Sequence, residues 1–214
     1  GGAAGGAVLA PGRLVGWLGA RLRMIAGSLA LVQNSATPDP VTAQTPTIPD
    51  HDLLRVIGRG AYGEIWLART VTGSFRAVKL VYRRTFESER AFLREFEGMS
   101  AFEPISRAHG GFVNILHVGR TASYLYYSME LADDHLDGRK IDIGSYEPRT
   151  LKTDLTKHKR LSADESIRVG LSLTEALVAL HTRGLTHRDI KPSNIIFIEG
   201  VPKLVDIGLV ETSG

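Results

Sequence analysis

The stretch His187-Arg188-Asp189-Ile190-Lys191-Pro192-Ser193-Asn194 follows a long helical pattern and precedes two short apolar runs. That context makes it a loop on a rigid base, and it carries several polar tools. The Asp189 carboxylate is a candidate general base for a hydroxyl within hydrogen-bond reach. Lys191, two residues on, brings a compact positive charge on a flexible stem. The amide oxygen of Asn194 is a hard donor of the kind magnesium selects. Pro192 stiffens the turn between them. The bland alternative is a polar turn between a helix and a strand. A base, a cation and a metal-binding amide so close together favour chemistry, provided that the rest of the chain supplies the matching parts.

Downstream, Ile195-Ile196-Phe197-Ile198 and Pro202-Lys203-Leu204-Val205 read as a pair of short strands turned at Glu199-Gly200. The pair delivers Asp206-Ile207-Gly208, whose carboxylate joins Asn194 as a magnesium ligand. Upstream, Ser162-Ala163-Asp164-Glu165 is a capping box that opens a helix. Ile167, Leu171, Thr174, Leu177 and His181 fall on one face of it, with Leu173, Ala176 and Leu180 beside them. Apolar residues cover most of its surface, so the helix is expected to be buried. Gly184 ends it. Thr150 to Lys159 reads as a short polar helix, and Asp133 to Tyr146 as an irregular polar loop.

Further upstream, Leu53-Leu54-Arg55-Val56-Ile57 leads into Gly58-Arg59-Gly60-Ala61-Tyr62-Gly63. A lone G-x-G-x-x-G also opens dinucleotide-binding folds, where it runs from a strand into a helix. Here the next residues, Glu64 to Arg69, are short, rich in β-formers and soon ended by Thr72-Gly73, so they read as a second strand. Glycines at a hairpin tip let backbone N–H groups approach phosphates closely. Arg76 to Val81 is a third strand, and Lys79 in that apolar run needs a carboxylate nearby. Phe86 to Phe102 reads as a helix ended by Pro104, with Phe92, Phe96 and Met99 on its inward face. Glu95 lies on that side and is assigned as the partner of Lys79, with Glu97 as the fallback. Phe112 to Val118 and Tyr124 to Met129 complete five strands, turned near Gly119–Ser123.

These motifs, in this order, resemble the eukaryotic-type protein kinases, and specifically the serine/threonine kinases found in bacteria. The loop at His187 is similar to H-R-D-L-x-x-x-N with Ile190 for Leu, Ala77-Val78-Lys79 to the end of V-A-I-K, and Asp206-Ile207-Gly208 to D-F-G with Ile for Phe. The resemblance covers residues 51–210. It implies an α+β, two-lobe fold with a complete small lobe and the first part of a helical large lobe. Residues 51–131 are the expected small lobe with hinge, and 132–214 the partial large lobe ending in the early activation segment. The resemblance implies an ATP site made of Ile57, Gly58, Gly60, Gly63, Ile65, Ala77, Lys79, Met129, Glu130, Ala132 and Ile196. Met129 is the expected gatekeeper, and the backbone of Glu130 to Ala132 the expected hinge. Asn194 and Asp206 are the expected magnesium ligands, and Asp189, Lys191, Lys79 and Glu95 the expected catalytic set. Met99, His187 and Ile207 belong to an apolar spine between the lobes. The implied activity is ATP- and Mg2+-dependent phosphorylation of a protein serine or threonine. The alternative is a nucleotide-binding pseudokinase acting as a regulatory module, which would be marked by loss of Lys79, Asp189 or Asp206. None is lost.

The bulk properties of the 214 residues fit this reading: 43% hydrophobic, 23% charged and a net charge of +3. The basic residues are scattered, which gives a nucleic-acid partner little support. With no cysteine, disulfides and thiolate metal sites are excluded. Residues 1–50 read as a flexible N-terminal segment and a Pro/Thr-rich linker. Leu14 to Val32 contains Arg21, Arg23 and several glycines and is not expected to span a membrane. A signal-peptide reading of Met24 to Val32 is set aside, because an ATP-using enzyme is expected in the cytoplasm; Met24 is an alternative start. The first residue is Gly and the A-P-E motif is missing, so the sequence is expected to be a piece of a longer frame, poorly active or marginally folded by itself.

Overall fold

Alternation of apolar and polar residues builds one five-stranded antiparallel sheet. A computed structural model describes residues 45–60 and 62–207. The strands are β1 (His51–Gly60), β2 (Gly63–Thr70), β3 (Phe75–Tyr82), β4 (Ile115–Arg120) and β5 (Tyr124–Met129), in the order β1-β2-β3-β5-β4. The β3–β5 register sets Ala77 opposite Met129 and Lys79 opposite Tyr127. Period-two alternation therefore places these four residues on one face. That face joins the main core, while Ala68, Val78, Leu80 and Tyr126 form a second cluster. Ile48, 3% exposed, covers the second cluster. The reading of residues 45–50 as linker is thus corrected: the apolar outer face needs cover, and the Tyr124 hydroxyl donates to the Thr47 carbonyl at 2.9 Å. The expectations for residues 1–44 lie outside the described residues.

Helix α1 (Glu89–Ala108) differs from its expected span at both ends. Ser88 caps it, its Oγ accepting the Ala91 N–H at 3.2 Å, which leaves Phe86 before the helix. Pro104 does not end it. The proline removes the bond to the Ser100 carbonyl, yet the next turn is held by tertiary contacts. Phe102 and Ser106 are buried, and the Ser106 Oγ accepts the Ile115 N–H at 3.0 Å while donating to the Glu103 carbonyl at 2.6 Å. The strand expected from Phe112 begins only at Ile115. Phe112 instead bridges Leu204, with the Val113 N–H donating to the Leu204 carbonyl at 3.0 Å.

Beyond the sheet come α2 (Leu151–His158), α3 (Ala163–His181), β6 (Ile195–Ile198) and β7 (Val201–Leu204). Both helices open on capping boxes, Thr150 with Thr153 and Ser162 with Glu165. The expectation that α3 is buried all round is corrected. Val169, Ala176 and Leu180 face the core, whereas Ile167, Leu171 and Val178 are 59%, 61% and 57% exposed, because α3 packs along β7 on one side. Glu199 and Gly200, with φ of 54° and 75°, make the two-residue turn between β6 and β7. The small lobe and the start of the large lobe give the expected α+β architecture. Among the described residues no helix is long and apolar enough to cross a membrane.

Residues 133–149 form a strap over the hinge side, organised by two buried carboxylates. Asp133 accepts the N–H groups of Glu199 and Gly200 at 2.9 and 2.8 Å. Asp134 accepts those of Leu136, Asp137 and Glu147 at 2.8, 2.8 and 2.9 Å. Burial pushes the Asp134 pKa up, and the backbone bonds outweigh it, so the group lies below its ordinary value. A depressed folded-state pKa means stability that is present above the unfolded value, about 3.9, and lost as pH falls through the folded one. Asp134→Asn is therefore expected to cost about 1.5–3 kcal/mol at pH 7. Chemical denaturation should show that loss together with a flatter pH dependence below about pH 4; an unchanged midpoint at pH 7 would remove the assignment.

Candidate active site

A cleft of about 870 Å³ opens between the sheet and the β6–β7 pair. Ile57, Ile65, Ala77 and Met129 line it from the sheet, Glu130 and Ala132 from the segment after β5, and Ile196 from the facing strand. Gly58, Gly60, Gly63, Lys79, Asp189, Lys191, Asn194 and Asp206 line it too. Of the expected ATP-site, magnesium and catalytic residues, Glu95 alone is missing from the lining. Ile207 and Met99 are buried in the main core and His187 is buried beside it.

The three glycines are not equivalent. A Cβ on Gly63 would sit 1.7 Å from the Leu80 carbonyl oxygen, so β2 and β3 approach too closely there for any side chain. A Cβ on Gly60 meets nothing within 4 Å and would project into open space. The hinge side chain of Glu130 is turned to structure: it accepts the Asn114 N–H and amide at 2.9 Å each and the Lys203 ammonium at 2.7 Å. Tyr146 donates to the Ala132 carbonyl at 3.1 Å, and Arg55 on β1 donates to the carbonyls of Ile143, at 2.9 Å, and Tyr146. Neither Arg55 nor Tyr146 was legible as a site residue, since both act across the sequence on backbone carbonyls.

The charged centre corrects one assignment. Lys79 pairs with Asp206, not with Glu95, and among the described residues no ion pair joins Lys79 to Glu95. The Lys79 and Asp206 side chains are 20% and 32% exposed. Burial opposes the ammonium of Lys79, but Tyr127 and Asp206 more than offset it, so the lysine stays protonated. Burial holds the Glu95 carboxyl above its ordinary range; Lys79 pulls it down and Asp206 pushes it further up. Glu95 is thus within electrostatic reach of both. Glu97, the fallback, is exposed.

In the loop, Asp189 accepts Lys191 Nζ at 2.8 Å and Asn194 Nδ2 at 2.9 Å. Burial raises the Asp189 pKa, and these two bonds outweigh it, leaving an ionised acceptor at neutral pH. Asn194 Nδ2 also donates to the Asp189 carbonyl at 2.9 Å, which leaves the amide oxygen as the atom for a cation. His187 Nε2 contacts the Val205 carbonyl at 3.0 Å, and its Nδ1 takes the Asp189 N–H at 3.4 Å. Burial lowers its pKa, and a neutral ring with Nε2–H satisfies both contacts. Arg188 and Asp206 have φ of 63° and 56°, a region costly for L residues, so tertiary contacts must hold both. No trio of His, Asp or Glu forms a self-sufficient metal site among the described residues. Asp206 and Asn194 supply two hard oxygens and leave other positions to phosphate and water, a set that fits magnesium.

The family model described as protein kinase domain matches residues 51–213. The chain belongs to the protein kinase family. This kinase domain is 28% identical over 164 residues to the protein named Probable serine/threonine-protein kinase CPE1738 of Clostridium perfringens, covering 76% of this chain and 22% of that one. It is 31% identical over 169 residues to Serine/threonine-protein kinase PknK of Mycobacterium tuberculosis, covering 76% and 13%. It is 27% identical over 194 residues to Aurora kinase B of Xenopus tropicalis, covering 86% and 48%. The chain thus spans from about an eighth to about a half of the length of these relatives, and they include the bacterial serine/threonine kinases expected from its motifs.

The glycine geometry separates folding from binding. Gly63→Ala should lower the melting temperature by about 5 °C or more, the scale of an overpacked core position. Gly60→Ala should leave melting within about 2 °C, because the new methyl meets nothing. Differential scanning fluorimetry of the two variants decides it, and equal losses would show that the close approach at Gly63 is not what the residue serves.

Proposed function

We propose that this kinase domain transfers the γ-phosphoryl group of ATP to a serine or threonine hydroxyl of a protein, with Mg2+. One observation carries the reading: a base, two lysines and two hard-oxygen ligands converge on a single cleft beneath a glycine loop. Phosphoryl transfer asks a protein mainly for positioning and for charge placed where it develops. Ile65, Ala77 and Ile196 sandwich the adenine, and the hinge backbone addresses its edge. Gly58 and Gly60 let backbone approach the phosphates. Lys79 moves its ammonium from Asp206 toward the α- and β-phosphates, and Glu95, already in electrostatic range, is its counter-charge in that position. Asp206 and Asn194 hold the magnesium, which when bound neutralises phosphate charge. Asp189 orients the acceptor hydroxyl and takes its proton; a carboxylate with a depressed pKa is a weak base, so it acts chiefly as an orienter until the hydroxyl becomes acidic. Lys191, now on Asp189, lies where it can follow the transferred group.

We divide the domain into a small lobe with hinge at 51–131 and the first part of the large lobe from 132, and place the enzyme in the cytoplasm, where its nucleotide is. The protein substrate and the activity of the whole protein belong to this proposal, because the chain covers only part of its relatives. The roles separate by substitution. With labelled ATP and a mixed protein substrate, Asp189→Asn should reduce transfer by about 10²-fold or more while nucleotide affinity stays within about twofold. Lys79→Met should impair transfer and weaken nucleotide binding as well. Normal turnover in Asp189→Asn would overturn the base assignment, and nucleotide binding without transfer in the parent would favour the regulatory pseudokinase.

A further inference from the structure

Tyr127 is a polar residue beside the Lys79–Asp206 pair, behind the cleft lining, that the proposed mechanism does not use. It stands on β5 directly opposite Lys79, and it is buried. The Lys79 ammonium lies 5.7 Å from its ring centroid, in cation–π range. Its hydroxyl lies 3.5 Å from Asp206 Oδ1, the outer limit of a hydrogen bond. Burial keeps the phenol neutral, with Lys79, Asp206 and Glu95 all acting on it electrostatically. A buried hydroxyl is costly unless it is hydrogen-bonded, and the partner of this one is Asp206.

The geometry at Asp206 shows the use. Lys79 and Tyr127 both address one oxygen, Oδ1, and the other, Oδ2, has no partner among the described residues. Lys79 cannot hold that carboxylate throughout the reaction, since it is needed on phosphate. Tyr127 has no competing task. We propose that Tyr127 is a positioning residue: its hydroxyl holds Asp206 by Oδ1 so that Oδ2 is presented to the divalent cation when Lys79 leaves.

The inference rests on the proposed metal role of Asp206, and its test separates the two. Binding of a non-hydrolysable ATP analogue to the whole chain is titrated with Mg2+ and repeated without metal. Tyr127→Phe keeps the ring and removes the hydroxyl. It should raise the Mg2+ concentration for half-maximal binding about three- to tenfold, the scale of one hydrogen bond to a charged group, and leave metal-free affinity unchanged. An unchanged or lowered Mg2+ requirement in folded Tyr127→Phe would overturn the inference, whereas a parent whose binding ignores Mg2+ would overturn the metal assignment beneath it. A second measurement leaves Tyr127 intact. With 13C at the tyrosine Cζ positions, Asp206→Asn should shift one buried tyrosine signal, and no tyrosine response would also overturn the proposal.

Discussion

The constraint on which this site depends is the ammonium of Lys79 inside an apolar strand. Removing an ion from water costs several kcal/mol unless another charge or hydrogen bond compensates. Lys79 therefore needs an anion, and it takes Asp206, 127 residues later in the chain. That choice joins the sheet to the segment that follows β7 and brings the Asp206 carboxylate into the cleft lining. It also leaves Glu95 a partly buried carboxyl with no direct partner in the pair, and its raised pKa is the electrostatic trace of that position. In the proposed reaction Lys79 would exchange Asp206 for phosphate and gain Glu95 without becoming unpaired.

Other cross-links fix the walls around that pair. Leu204 donates its N–H to the Gly111 carbonyl and accepts that of Val113, and Lys203 reaches Glu130, so β7 is anchored to both the approach to β4 and the hinge. Arg55 ties β1 to the strap, and Tyr146 ties the strap to the hinge. These contacts are hydrogen bonds to backbone or buried carboxylates, the kind that define position more than they add net stability. His187 carries the same logic into the loop. A neutral ring bridging Asp189 and Val205 keeps the base and the Asp206 segment in one frame.

Much of this was legible in the sequence because local rules decided it. The capping box at Ser162–Glu165, the turn at Glu199-Gly200 and the five strand-forming runs depend on neighbours in the chain, and they formed as read except that β4 starts at Ile115 rather than Phe112. The site residues were legible because the chemistry restricts residue type at fixed spacing. What failed was tertiary. Pro104 was read as a stop, but the burial of Phe102 and Ser106 outweighed one missing hydrogen bond. Ile48 was read as linker, but the outer face of the sheet needed cover. The helix at Ala163–His181 is apolar on more sides than this chain covers, so periodicity alone could not choose the buried face. That Lys79 pairs in this structure with Asp206 rather than Glu95 was not legible for the same reason. Both carboxylates were visible, and only their distances in the folded chain select between them. Tyr127 was hidden in a run of aromatic strand formers, where a hydroxyl gives no local sign of its use.

The most direct test of the account is a pair of double-mutant cycles on metal-free, nucleotide-free protein, read by chemical denaturation with Lys79→Met, Asp206→Asn and Glu95→Gln. The account predicts a coupling of about 1 kcal/mol or more between Lys79 and Asp206 and a much smaller one between Lys79 and Glu95. A dominant coupling between Lys79 and Glu95, with none to Asp206, would contradict the pairing from which the rest of the site is derived.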